Sequence, residues 1–362
     1  MFVICLFRPN LAAALMLAAG AALPLRAQLV AYEGFNDYAA DVQIESGTNG
    51  SGGAGIDGGA GWSGPYDVSD FIKSLVRIEN RSSSPVNYTS GGITISGGSR
   101  ALRFYDTANG SYALRRPLGT VFSAAAGETL WFSVLFRTAT GGASPLANQD
   151  FFQIGFDDNA NASSGNPRVS IGANTTQTTF PSPCRFFARS TTAVSSSDFC
   201  DNQDIAAATT YLLVARIQPH DGVYDTVSLF VNPSASGQPG PPSAEIVVAS
   251  GLNSLSHAFI RTANLDLGDA YVLDEWHVGR DYGSVVQSLE GSLRMHPAAL
   301  PDVPMILRWP VSPVGTVLES SDTLAPDSWI VDPGPFFLKN AEWELGIPIE
   351  PDSPRRFFRL KR

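Results

Sequence analysis

The sequence predicts an all-β protein, with one large antiparallel sandwich and a small β-module after it. Three observations carry this. Past residue 27, apolar residues recur with period two or in short runs, and helical periodicity is almost absent. Clusters of Gly, Pro, Asn, Asp and Ser separate those runs, and these are the residues of turns. Many strands at such short spacing in one long stretch read as a sandwich or barrel.

The first 27 residues differ from the rest. Arg8 is followed by an apolar run, Leu11–Pro24, and then by Leu25, Arg26 and Ala27. That order of charge, apolar run and small residue is the pattern of a secretory signal. The run falls short of the ~20 residues that span a bilayer. Residues 1–27 are therefore expected to be a signal peptide, with no transmembrane segment after its removal and the protein secreted or at the cell surface.

Strong strands are expected at Thr129–Arg137, Tyr211–Ile217, Thr226–Asn232, Glu245–Ala249, Ala258–Thr262 and Tyr271–Val278. Gly47–Gly64, Pro181–Asp201 and Asn232–Ser243 are low in complexity, the first reading as a surface loop and the last as a connection. The sandwich is expected over 28–286, a linker over 287–302 and the small module over 303–362. Inside that module, short strands are expected at Met305–Trp309, Thr316–Ser320, Trp329–Val331 and Arg356–Leu360. Sixty residues make a marginal core.

The net charge of −10 and the lack of basic clusters argue against nucleic acid as a partner. Three cysteines occur, and Cys5 lies in the leader. The pair Cys184 and Cys200 is expected to form a disulfide in an oxidising compartment.

Several short motifs resemble a known family. Val30–Phe35 (VAYEGF) followed by Gly61–Tyr66 (GWSGPY) resembles the opening of laminin-G-like, concanavalin-A-like domains of secreted bacterial proteins. Asp225–Pro233 resembles their late core strand, and Leu273–Gly279 (LDEWHVG) their closing strand. The tail (Leu307–Pro310, Val317–Leu324, Ser328–Trp329 and Arg355–Leu360) resembles a small β-module that ends many exported proteins. The resemblance implies a jelly-roll of two facing antiparallel sheets that binds sugar or calcium, and in some relatives of the fold a polysaccharide hydrolase or lyase. Fold alone does not choose among these.

The residues themselves offer few catalytic sets. Glycoside hydrolysis needs two carboxylates facing one bond. Asp274 and Glu275 are adjacent, so on a regular strand they point to opposite faces. As structural residues, Asp274 would bond neighbouring backbone and Glu275 would be solvated. Tyr271, Glu275 and His277 alternate along one strand, and they form the best catalytic face available. As a structural residue, His277 would sit on an outward face. No Gly-x-Ser-x-Gly elbow, zinc pattern or phosphate loop occurs. Asp157, Asn159 and Asn161 place oxygens at alternate positions, as a calcium loop would. The same residues suit a hairpin turn. Trp62, Tyr66, Tyr88 and Phe180 are candidates to stack on sugar rings, although Trp62 would equally pack beneath the Gly-rich loop.

The expectation drawn from these readings is an exported, non-catalytic protein that binds a glycan or cell-surface polymer. A polysaccharide hydrolase or lyase, and a structural component of the surface or matrix, are the alternatives.

Overall fold

The computed structural model describes residues 4–5, 29–40, 42, 44, 58–68, 74–106, 110–138, 151–159, 167–175, 184–191, 197–234, 238–265 and 270–286. Beyond these it describes 294–300, 303–310, 317–323, 325, 328–334, 336–339, 342–347 and 356–361. The chain divides into two compact units: residues 27–288, and residues 289–362 with residues 1–26.

The larger unit is an all-β sandwich of two antiparallel sheets. Its seven-stranded sheet runs in the order Ser197–Asp204, Cys184–Arg189, Val169–Thr175, Phe151–Asp157, Ser254–Leu265, Gly110–Ser123, Asp67–Val68. The eight-stranded sheet runs Ala244–Leu252, Val223–Val231, Thr210–His220, Leu130–Thr138, Ala270–Gly279, Arg100–Asp106, Ser74–Asn80, and Leu29–Glu33 also pairs with Ala270–Gly279. Alternate residues of both sheets meet in one core. Phe132 packs on Phe156 at 5.2 Å between ring centroids and Phe136 on Phe152 at 5.0 Å.

The two outer faces differ. On the eight-stranded sheet, Leu135, Val214, Phe230 and Val272 form a second core with the Tyr88–Ser90/Ile93–Ile95 hairpin and the short helix Tyr282–Val286. This explains why Leu130–Thr138 is bulky on both faces: both are buried. The outer face of the seven-stranded sheet carries polar and aromatic residues, and these too are buried: Phe187 and Gln153 are 0% and Arg189 1% exposed.

The structure revises several expectations of the chain's organisation. Pro181–Asp201, low in complexity, contributes the strand Cys184–Arg189 and the start of Ser197–Asp204. The expected linker contains Arg294–Leu300, a strand paired with Val303–Pro310. Both segments lack clean alternation in sequence because their partners, not their own pattern, hold them.

The smaller unit has two four-stranded sheets. One orders Ile4–Cys5, Phe357–Lys361, Val317–Ser321 and Ile330–Val331, the other Arg294–Leu300, Val303–Pro310, Glu342–Ile347 and Phe337–Lys339. Leu307, Trp309, Leu318, Leu345, Ile347 and Phe358 form its core. No helix among the described residues is long and apolar enough to cross a membrane.

Candidate functional site

The strand Ala270–Gly279 changes partner midway. Leu273 pairs with Leu102, but Trp276 pairs with Glu33 on another strand. On its other side the register against Leu130–Thr138 shifts between Asp274 and His277. This is a β-bulge, and Glu275 takes a φ of 52° in it. An extra residue reverses the facing of everything after it. Tyr271 therefore joins the inter-sheet core, whereas His277 faces the opposite side and meets Val285 O at 3.1 Å. The expected Tyr271/Glu275/His277 face does not exist.

Two further expectations on this strand are corrected. Glu275 is not solvated and His277 is not at the surface, being 2% and 0% exposed. Glu275 Oε1 accepts from the Tyr32 hydroxyl at 3.0 Å, and Oε2 lies 3.3 Å from His277 Nε2. Asp274 does bond backbone, its Oδ1 accepting from the Glu275 amide at 2.8 Å. Burial, and then the charge of Glu275, push the Asp274 carboxyl well above its usual range. At a break in the ladder the backbone loses strand partners, and these side chains stand in for them.

Next to this clasp, Glu33 is fully buried and saturated. It accepts from the Phe35 amide at 2.9 Å, Tyr38 OH at 2.8 Å and Arg116 Nη1 at 2.5 Å. Arg116 also donates to Gly64 O and Gly58 O, at 3.0 and 2.6 Å, between the rings of Trp62 and Tyr66. Trp62 packs on Trp276 at 5.3 Å and donates to Tyr32 O. Trp62 and Tyr66 thus bind the end of the Gly-rich segment to the sandwich. Tyr66 and Tyr88, 1% and 5% exposed, present no open ring for stacking. Sequence motifs marked this region because it closes the fold.

The outer face of the seven-stranded sheet is a different kind of surface. One cross-strand row reads Phe199, Phe187, Gly172, Gln153, Arg261, Ala113. The next reads Ser197, Arg189, Ser170, Gly155, Phe259, Arg115, Asp67. Glycine in the middle of each row lets large side chains lie flat. A Cβ on Gly172 would meet the Phe187 ring at 2.7 Å. Phe151 and Phe187 stack with centroids 6.0 Å apart. The Arg189 and Arg261 guanidiniums lie 5.4 and 5.9 Å from the Phe151 ring.

Two buried acceptors on this face have no donor: Gln153 Oε1 and Asn174 Oδ1. The orientation of Gln153 is fixed, because its Nε2 donates to Pro167 O, which can only accept. Orphan buried acceptors of this kind are uncommon and call for an occupant. No single strand contributes more than a few of these residues, and none forms a motif, so sequence reading missed them. The alternation Phe151, Gln153, Gly155, Asp157 was the only linear trace.

Asp157 also lies on this face, but its carboxylate accepts from Arg115 Nη1 at 2.5 Å and from the Asn159 amide at 2.9 Å. The Asn159 carbonyl is likewise taken by Arg115. A calcium ion here would compete with a buried guanidinium. Asn161 and Phe180 lie outside the described residues, and so does the Cys184 side chain. Cys200 is buried one place beyond Phe199, which pairs with Phe187, where the register against Cys184–Arg189 shifts.

No protein-family model matches the chain, and no curated protein matches it. Similar solved structures include a carbohydrate esterase from Shiga toxin-encoding bacteriophage phi24B, at 10% identity over 60% of this chain and 90% of that one, with a TM-score of 0.38. An endo-beta-1,4-glucuronan lyase from the fungus Trichoderma reesei is 14% identical over 68% and 98%, with a TM-score of 0.37. Peanut lectin is 13% identical over 57% and 97%, with a TM-score of 0.34. The neighbours of this chain are thus β-sandwich proteins of low identity, lectins and carbohydrate-active enzymes among them.

Proposed function

We propose that the chain is an exported, non-catalytic binding protein that holds a glycan or surface polymer across the outer face of its seven-stranded sheet. The observation that carries this is the set of orphan acceptors, Gln153 Oε1 and Asn174 Oδ1, on a face walled by Phe151, Phe187 and arginines. Sugar hydroxyls donate to such amide oxygens; the rings of Phe151 and Phe187, 8% and 0% exposed, wall the face without offering an open surface for stacking. The laminin-G-like motifs at both ends of the sandwich agree with a binding role, and the leader with export.

Catalysis has weaker support. Asp157 and Asp67 on this face both lie beside Arg115, whose positive charge they share. The Asp274/Glu275/His277 group is committed to closing the sheet. Single sites of this kind bind near the millimolar level, roughly −4 kcal/mol. Clustering of copies then supplies retention.

A glycan array probed with the clustered protein tests the reading. Binding that falls with Phe151→Ala and with Gln153→Ala, with melting temperature preserved, supports it. Absence of binding to every polysaccharide, or binding that ignores both substitutions, removes this face as the site. Release of reducing ends or unsaturated products would replace the reading with the enzymatic one.

A further inference from the structure

We infer that Arg77, Arg81, Arg103 and Arg137, on the outer face of the eight-stranded sheet, form a second binding site, which receives a carboxylate or sulfate group of an acidic polysaccharide. This site lies on the other sheet from the face proposed above and does not depend on that reading.

The ladder assembles the cluster. Arg77 of Ser74–Asn80 pairs directly with Arg103 of Arg100–Asp106. Arg103 pairs on its other side with Val272, and Val272 with Arg137 of Leu130–Thr138. These residues make one cross-strand row, about 14 Å long at the usual strand spacing. Side chains alternate along a strand, so Glu79, and Arg81 just past the strand's end, emerge on the face of Arg77. Glu79 Oε1 lies 2.7 Å from Arg103 Nη1 and 3.8 Å from Arg77 Nη2, and its Oε2 lies 2.5 Å from Arg81 Nη2. The Arg77 and Arg103 guanidiniums stand 4.8 and 5.1 Å from the centroid of a single ring, that of Tyr105. No basic run in the sequence marks this cluster, because three separate stretches supply it.

Like charges directly opposite one another in a ladder destabilise a sheet. Here four guanidiniums gather around one carboxylate. Arg137 meets no carboxylate among the described residues, and its Nη1 donates to Ser84 Oγ at 3.4 Å. Burial lowers the pKa of Arg81, Glu79 raises it, and the charges of Arg103 and Arg137 lower it again. An added anion relieves this mutual repulsion. It also has access, because the Arg77 and Arg103 side chains are 32% and 25% exposed. The planar fork of arginine matches two oxygens of a carboxylate or sulfate. Exposed Ser83 and Ser84, beside Arg81, present hydroxyls to the neighbouring sugar. Outside this short row the chain is acidic, with a net charge of −10. A nucleic acid, with its dense phosphates, would run off the row into repulsion, whereas a polymer with one acid per sugar needs little more than the row itself.

Calorimetry on the full chain at low salt, with polygalacturonate, dextran sulfate, neutral dextran and single-stranded DNA, tests the inference. The expected result is that one or both acidic polysaccharides bind at least about tenfold more tightly than dextran, and that added salt weakens this. Polygalacturonate alone would identify the group as carboxylate, and dextran sulfate alone as sulfate. Arg77→Gln and Arg137→Gln should each lower that affinity about three- to fivefold. Glu79→Gln removes the carboxylate that competes with the ligand and should raise it by a similar factor. Arg168→Gln, on the other sheet and paired with Asp158, should change nothing. Thermal melts of each variant confirm folding. Binding of the acidic polymers that ignores Arg77→Gln and Arg137→Gln overturns the inference, as does their failure to bind. DNA bound more tightly than either polysaccharide overturns the ligand class. None of these outcomes bears on the seven-stranded face, whose test is the response to Phe151→Ala and Gln153→Ala.

Discussion

The Tyr32 hydroxyl donates to Glu275 Oε1 across 3.0 Å, and the two residues lie 243 positions apart. The bond ties the first strand of the sandwich to its closing strand at the bulge where that strand changes partner. Tyr32 also packs on His277 at 5.2 Å, so the same contact orders three side chains. A fully buried hydrogen bond to a carboxylate contributes about 1.5–3 kcal/mol. Tyr32→Phe should therefore lower the urea unfolding free energy by that amount, with the denaturant slope unchanged. An unaltered midpoint would show that the bulge does not depend on this bond.

Arg116 and Glu33 make a stronger test of the same region. Arg116→Met keeps the volume between Trp62 and Tyr66 but leaves the Glu33 carboxylate uncompensated. A loss of about 3–5 kcal/mol is expected. In the double variant Arg116→Met/Glu33→Gln most of that loss should return, because the buried charge goes with its partner. Equilibrium unfolding of the three proteins gives the comparison.

Asp274 sets a pH dependence with a definite sign. Its folded value is raised by burial and by Glu275. A carboxyl raised on folding contributes stability that is fully present below its unfolded value and is lost as pH rises through the folded one. Asp274→Asn keeps an acceptor for the Glu275 amide and abolishes the titration. From acid toward neutral pH, the native protein should lose stability relative to this variant. Melting temperatures of the two proteins over that range would settle it; parallel curves would mean that folding does not shift the Asp274 carboxyl.

The cysteine pair is checked by mass. If Cys184 and Cys200 are bridged, the intact non-reduced protein is lighter by two hydrogens than the reduced form. Closing a loop of this length would contribute on the order of 3 kcal/mol. Free thiols on both residues, found by alkylation of the oxidised, unfolded chain, would exclude the bridge.

The strands of the eight-stranded sheet were legible because both their faces are buried. Thr129–Arg137 and Tyr271–Val278 read as strands from their apolar runs alone; the structure shifts the first by one residue, to Leu130–Thr138, and extends the second by one at each end, to Ala270–Gly279. The bulge at Asp274–Glu275 was not legible. Its cause is a partner exchange with Leu29–Glu33 and Arg100–Asp106, which no local pattern records. For the same reason Tyr271 and His277 appeared to share a face. The arginine-rich face was invisible for a different reason. Arg189, Arg261, Gln153 and Phe151 come from three strands over more than a hundred residues, and only the ladder brings them together.

The position of Ala270–Gly279 governs the order in which the molecule can assemble. This strand sits inside the eight-stranded sheet, with Leu130–Thr138 on one side and both Arg100–Asp106 and Leu29–Glu33 on the other. Until it is synthesised, those strands have a vacant slot between them and exposed ladder edges. No nascent chain that stops short of it can complete the sheet, and high sequence separation makes such closure slow. The growing chain therefore exposes aggregation-prone edges until this late segment emerges and inserts. Protection of those edges during that interval, more than final stability, should limit the yield of folded protein.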